Sequence, residues 1–309
     1  MAPTFPFTAL PNAEVFSVDD RSAQLVWRSL GTGGATAHVA GRSIPLGPAD
    51  RVGAAIVDEL TPGSPHVIDI TVDGRPAARL TATTSPSLSS APLSRIATIS
   101  DLHFGEEGFG LVKRMSEPRS TPIGHPLRCA LAAVREAEAW GAQLLVVKGD
   151  ITDRGHGHEW EQFDTLLSAI HVPVIAIPGN HDVKRGRRSV DATEALRARG
   201  LFPCPVHHVD VPGARIVAVD TTIRGQSRGR LEPRLVDLQA ALDADRPMLV
   251  FLHHHLEVTP LPVFWPIGVP RSQGMAALER MLEVNADLLV SSGHTLRIRG
   301  RSHGTAVVT

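Results

Sequence analysis

Cysteine occurs only twice in these 309 residues, at Cys129 and Cys204. Two thiols cannot supply the disulfide framework of a small secreted scaffold, so free, buried thiols in a reducing compartment are the expectation. Long apolar runs are missing too. No stretch approaches the roughly 20 apolar residues that a helix needs to cross a bilayer. The start, Met1-Ala-Pro-Thr-Phe-Pro6, lacks the basic residues and apolar core of a secretory signal. A soluble, cytoplasmic protein without a membrane partner follows as an expectation. Nor is either sign of charge in excess: 31 Lys and Arg face 32 Asp and Glu, for a formal net charge of −1. That balance offers nucleic acid no global attraction, so any electrostatic preference must be local. What is abundant is apolar side chain, 42% of the total against 20% charged, enough for a substantial core.

The texture of the chain changes near residue 90. Residues 14 to 84 carry short alternating segments separated by Gly and Pro, such as Ala23-Gln-Leu-Val-Trp-Arg28, Ala35-Thr-Ala-His-Val39 and Val67-Ile-Asp-Ile-Thr-Val72. Period-two alternation with turn punctuation predicts a small β-sandwich over residues 1–84. Leu25-Val26-Trp27, followed by Leu60-Thr-Pro-Gly-Ser-Pro65, resembles a fibronectin type III module, in which a strand tryptophan packs between two sheets. Residues 85–93, rich in Ser and Pro, read as a linker.

From residue 94 to 309 strand and helix patterns alternate. Continuous apolar runs at 95–100, 144–148, 173–177, 215–219, 248–252 and 287–291 have the character of strands buried on both faces. Between them, apolar residues recur at helical spacing: Leu127, Leu131 and Val134; Trp160, Phe163 and Leu166; Leu231, Leu235, Leu238 and Leu242; Met275, Leu278 and Leu282. The pattern predicts an α/β domain with a mostly parallel central sheet, whose ligands sit beyond the carboxyl ends of the strands.

Five of these runs stop at residues suited to gripping a divalent cation. The stops are Asp101-Leu-His103, Gly149-Asp150-Ile-Thr-Asp153, Gly179-Asn180-His181-Asp182, His253 and Gly293-His294. A single Asp at a strand end is commonly a helix cap, and a lone His is usually a satisfied polar residue. Five in series point instead to one site of oxygen and imidazole ligands.

In this order and spacing, the motifs resemble the calcineurin-like metallophosphoesterase family, most of all its branch of cyclic-nucleotide and glycerophosphodiester phosphodiesterases. The resemblance implies metal-dependent hydrolysis of a phosphodiester or phosphomonoester by a metal-bridging hydroxide. It implies two divalent ions (manganese, iron or zinc), about 3.5–4 Å apart in such centres. Asp101, His103 and Asp150 would hold the first, and Asp150, Asn180, His253 and His294 the second. His181 would serve leaving-group protonation or transition-state charge, with Asp153 fixing its tautomer. Asp182 is expected to orient its loop. Within the run His253-His254-His255, alternation puts His254 on the opposite face and leaves His255 as the fallback ligand.

One departure matters. The family signature ends Gly-His-x-His, whereas this chain reads Gly293-His294-Thr295-Leu296. Leucine has no lone pair, so the first ion lacks a nitrogen ligand. Water or substrate can fill that place and leave a weak, partly occupied site; His303 can swing in; or the site is mononuclear or inactive. A non-catalytic metal- or phosphate-binding protein of the same fold is therefore the rival reading. A nuclease is another, with little support from the neutral composition. The expected substrate is a small phosphoester, with nucleotides among the candidates. Val183-Lys-Arg-Gly-Arg-Arg188, and more weakly Lys113, Arg114 and Arg119, offer local positive charge. Phe264-Trp265 offers a stacking pair or a packing one. His125, His156 and His158 fall in loops near the expected mouth, and His207-His208 match no ligand.

Overall fold

The computed structural model describes residues 12–87, 92–106, 123–257 and 267–294, together with the backbone of four short strands within 108–116 and 301–308. The chain divides into two compact units, Met1–Ala91 and Pro92–Thr309. No described helix is long and apolar enough to cross a membrane.

The first unit contains only strands: β1 (Ala13–Val18), β2 (Ala23–Trp27), β3 (Gly34–Val39), β4 (Arg42–Pro48), β5 (Gly53–Val57), β6 (Pro65–Val72) and β7 (Arg75–Thr83). They form two antiparallel sheets, ordered β1-β2-β5 and β4-β3-β6-β7. Alternation decides the core: Ala23, Leu25 and Trp27 from one sheet meet Ala35, Ala37, Val39, Ile68 and Ile70 from the other. Trp27 lies over Gly53, where any Cβ would collide with the indole.

The second unit opens with β8 (Ile96–Ile99) and a small hairpin of β9 (Gly108–Phe109) and β10 (Met115–Ser116). Then come α1 (His125–Ala139), β11 (Leu144–Lys148), α2 (Gly157–Leu167), β12 (Val174–Ile177) and α3 (Ala192–Ala198). The second half holds β13 (Val206–Val211), β14 (Ala214–Val219), α4 (Leu235–Ala241), β15 (Met248–Leu252), α5 (Arg271–Val284), β16 (Leu288–Ser292), β17 (Arg301–His303) and β18 (Ala306–Val308).

The expected single central sheet is in fact two. One is a three-stranded parallel sheet, β12-β11-β8. The other is six-stranded and mixed, β13-β14-β15-β16-β18-β17, antiparallel at β13–β14 and β17–β18 and parallel between. The physical reason lies in what covers each strand face. Ile216, Ala218 and Phe251 share a core with the three-stranded sheet and with Leu127, Val134, Trp160 and Phe163 of α1 and α2. Their neighbours Val217, Val219, Val250 and Leu252 pack the other way, with Leu238 of α4 and Leu278 and Met281 of α5. The order is helix, sheet, sheet, helix. A continuous apolar run reports that both faces are covered, but not whether by helix or by sheet.

Two smaller differences have local causes. The helix expected from Leu231 begins as a 3₁₀ turn, Glu232–Arg234, and only Leu235–Ala241 is α-helical. Strand β13 escaped notice because His207, His208 and Asp210 interrupt its apolar character, although Gly213 at positive φ closes its hairpin.

Candidate metal centre

The site grows from the strand ends of both sheets. Beyond β8 and β11 the chain segments stay side by side: Asp101 N–H donates to Gly149 O (3.0 Å), His103 N–H to Asp150 O (2.9 Å) and Phe104 N–H to Ile151 O (2.9 Å). The backbone there is bent out of the extended region. Asp101, His103, Asp150 and His294 have φ of 56°, 47°, 50° and 67°, and they are the non-glycine residues with positive φ among the described residues of this unit. Such conformations cost about 1–3 kcal/mol each and persist where function demands a particular aim. Three glycines permit the crowding. A Cβ on Gly179 would collide with the Asp150 amide and carboxylate, one on Gly149 would lie 2.7 Å from His253 Nδ1, and one on Gly293 would lie 2.9 Å from Asp101 Oδ2.

Asp150 is the hub. Its Oδ1 accepts the His181 backbone N–H (2.8 Å). Its Oδ2 lies 3.4 Å from His253 Nε2 and 3.8 Å from His103 Nε2. His253, fully buried, donates Nδ1–H to Lys148 O (2.8 Å), which turns Nε2 toward Asn180 Oδ1 (3.1 Å). His294 sits opposite, with its backbone N–H on the Asp101 carboxylate (3.0 and 3.2 Å) and its ring hydrogen-bonded to the Ile267 backbone.

These residues fit a cationic occupant. His103 Nδ1, His254 Nε2 and His294 Nε2 are buried with no hydrogen-bond partner among the described residues. Asp101, Asp150 and His253 bring ligand atoms within 4.8 Å of one another, as do His103, Asp150 and His181, and His253, His254 and His294. Carboxylate oxygens with imidazole nitrogens suit manganese, iron or zinc. The electrostatics agree. Burial works against charge on Asp150, but His253, His181 and His103 outweigh it and hold the carboxyl well below its ordinary range. Burial likewise opposes charge on His253, yet Asp150 prevails and holds that imidazole up to about 9. Burial pushes His103 down, and pushes His294 down to about 4 with the help of His253, so both keep free lone pairs at neutral pH.

Beside this hub, His181 Nδ1 lies 3.1 Å from Asp153 Oδ1 and 3.0 Å from Asp153 O. Lys184 Nζ donates to the same carbonyl (2.8 Å) and lies 2.7 Å from that ring nitrogen. The His181 ring meets His103 edge-on, centroids 4.4 Å apart. Asp182 is fully buried and orients the loop, as its position suggested. It accepts from Gly179 N (2.8 Å), Thr152 N (2.8 Å), Thr152 Oγ1 (2.7 Å) and Ile151 N (3.2 Å).

Several expectations are corrected. His254 is not on the opposite face: β15 ends at Leu252, alternation lapses, and its ring lies 4.9 Å from both His253 and His294. Thr221 Oγ1, 2.8 Å from His254 Nδ1, holds it there. His255 stacks on His294 at 6.3 Å and joins none of the ligand groups. Both cysteines are exposed rather than buried, and free. His156, His158 and Glu159 form a separate cluster at the start of α2, while His207 is buried against Cys204 O. Sequence reasoning also passed over Lys148. This buried ammonium donates to Ser291 Oγ (3.1 Å) and Ser292 O (2.9 Å), and its signal was a cation ending an apolar run. Leu296, Lys113, Arg114, Arg119, Phe264, Trp265 and the His303 side chain lie outside the described residues.

The family model described as calcineurin-like phosphoesterase matches residues 94–297. A probable glycerophosphodiester phosphodiesterase from Arcobacter nitrofigilis is 31% identical over 115 residues, 36% of this chain and 41% of that protein. A 3',5'-cyclic adenosine monophosphate phosphodiesterase from Pseudomonas aeruginosa is 27% identical over 189 residues, 58% of this chain and 62% of that protein. The chain thus spans from about two fifths to three fifths of the length of these two relatives. Among solved structures, a dimetal phosphatase from Danio rerio superposes with a TM-score of 0.48 at 17% identity, covering 70% of this chain and 86% of that one.

Proposed function

Because the chain belongs to the calcineurin-like phosphoesterase family, we propose that it hydrolyses a phosphoester, with a small phosphodiester favoured over a monoester. The named activities of its relatives support the diester. Two divalent cations, when bound, would supply an activated water and screen the negative phosphoester. Asp101, His103 and Asp150 would hold the first cation. Asp150, Asn180, His253 and His294 would hold the second. One observation carries the reading: a single buried carboxylate, Asp150, faces imidazoles from both ligand groups within 4 Å.

The chain's own residues complete the chemistry. Asp153 anchors one nitrogen of His181 and leaves the opposite ring nitrogen for the ester's leaving oxygen. Protonation from that position is worth roughly 10²–10⁴-fold for a general acid. Substrate, or water, would take the place that Leu296 cannot fill at the first cation. The N-terminal unit we read as a fibronectin type III-like module covering residues 1–84, joined by a linker to the phosphoesterase domain. We assign the protein to the cytoplasm, on its two free thiols.

The test is hydrolysis of bis(p-nitrophenyl) phosphate with added manganese, alongside elemental analysis, in the wild type, Asp150→Asn and Leu296→His. Turnover should fall by at least about 10²–10³-fold in Asp150→Asn, on the scale of losing an electrostatic element of the site. Leu296→His should raise bound metal toward two ions per chain. Metal binding without turnover in both the wild type and Leu296→His would favour a non-catalytic binding protein and end this reading.

A further inference from the structure

Two loops beside the metal centre carry cations and no acid. Residues 183–190 read Val-Lys-Arg-Gly-Arg-Arg-Ser-Val, and 221–230 read Thr-Thr-Ile-Arg-Gly-Gln-Ser-Arg-Gly-Arg. Together they hold seven of the chain's 31 Lys and Arg, although the whole chain carries a net charge of −1. Lys184 is engaged at His181 and Asp153. The six arginines, Arg185, Arg187, Arg188, Arg224, Arg228 and Arg230, are exposed and make no ion pair with an acid among the described residues. Three nearby aspartates are committed elsewhere. Asp182 is buried in its own loop, Asp191 caps α3 through Glu194 N, and Asp220 takes Thr222 and Arg234.

The loops are fixed to each other and to the site. Gly225 N–H donates to Val183 O (2.9 Å), and the Arg185 side chain lies across Gly225, where a Cβ would come 2.9 Å from its Cγ, Cδ and Nε. Val183 follows His181-Asp182 directly. At the other end, Arg230 N–H donates to Thr221 O, Thr221 holds His254, and a Cβ on Gly229 would lie 2.7 Å from the His254 side chain. Neither cationic loop is therefore a free appendage.

We propose that this double loop is a subsite for a second phosphate, so that the substrate carries a phosphate group besides the one hydrolysed. The inference rests on the phosphoesterase reading of the centre. A lone diester brings one negative charge, which the metal ligands' own cations would meet. Arginines gathered on two joined loops without acid partners favour an anion among them, and guanidinium forks pair with phosphate oxygens in bidentate fashion. A small bisphosphate-bearing ester, such as a phosphorylated nucleotide, matches a cluster confined to two short loops on a neutral chain. A nucleic-acid strand would need a longer basic track.

The experiment compares two competitive inhibitors of bis(p-nitrophenyl) phosphate hydrolysis, adenosine 3',5'-bisphosphate and adenosine 5'-monophosphate, at constant ionic strength. The bisphosphate should bind at least about tenfold more tightly, the scale of one added charge-assisted hydrogen bond. In Arg185→Gln/Arg188→Gln/Arg228→Gln that ratio should fall toward one, and in the matching Lys triple variant part of it should return. The ratio is internal to each protein, so a loss of folded fraction does not move it. Equal inhibition by both nucleotides in the wild type, or a ratio that survives the Gln variant, overturns the proposal. So does tighter binding of a single-stranded oligonucleotide with a steep salt slope, which would identify a nucleic-acid groove. If the diester is not hydrolysed at all, the reading of the centre fails; calorimetric titration of the two nucleotides then still reads the loops.

Discussion

His253 shows how one residue sets the behaviour of the centre. Its Nδ1–H is spent on Lys148 O, so only Nε2 can meet a cation, and in the metal-free chain Asp150 favours a proton on that same atom. The imidazole is held up to about 9, above its unfolded value. Its contribution to the stability of the metal-free protein is therefore full below the ordinary imidazole range of about 6.5 and is lost as pH rises through about 9. Metal binding must expel this proton, so affinity should rise over the same window. Manganese titrations of metal-free protein between pH 6.5 and 9 should show tighter binding at each step, with proton release detectable in weak buffer. A flat affinity profile, with no protons released, would remove His253 Nε2 from the ligand set. The glycines and motif residues at strand ends were legible in the sequence because they are sharply patterned. The place of His254 was not, because alternation stops governing side-chain direction where a strand ends.

Helix α2 illustrates the next scale. Its apolar face was readable from Trp160, Phe163 and Leu166, all buried in the core beneath the three-stranded sheet. Phe163 packs against Trp160, centroids 6.1 Å apart, and near Phe104 at 6.5 Å. Phe104 directly follows His103, so the helix backs the loop that presents that imidazole. Phe163→Ala should cost roughly 3–5 kcal/mol through lost burial and a residual cavity. Chemical denaturation of the metal-free protein would measure it; a loss below about 1 kcal/mol would mean the site collapses and the packing argument is wrong. Strand and helix identities emerged from periodicity, yet the partition into two sheets did not. Whether Val217 or Ala218 faces a helix is a tertiary choice between two equally apolar surfaces. The second arginine loop, 221–230, escaped for a related reason. The Gly225–Val183 hydrogen bond and the Arg185 side chain over Gly225 bring it beside 183–188, and no local pattern announces that meeting.

At the scale of the whole phosphoesterase unit, the two sheets contribute unequal shares to one centre. Asp101, His103, Asp150 and Asn180 follow strands of the three-stranded sheet, whereas His253 and His294 follow strands of the six-stranded one. Apolar packing between the sheets is continuous below the centre, through Val147, Ile177, Ala218 and Phe251. At the rim that packing gives way to polar groups, and Lys148 spans it through Ser291, Ser292 and the ring of His253. A cation shared by Asp150, Asn180 and His253 would act there as a rivet, reinforcing two plates otherwise joined by apolar packing and a few hydrogen bonds at the rim. Metal at about 100 times its dissociation constant should add about 2.7 kcal/mol to the folded state. Thermal melts with manganese and with chelator would read that gain, and identical midpoints would deny it. Hydrogen exchange should slow most at the ends of β11 and β15, where the plates part. The unit would then respond to metal supply as a hinge does to its pin: starvation would loosen the mouth first and leave the interior intact.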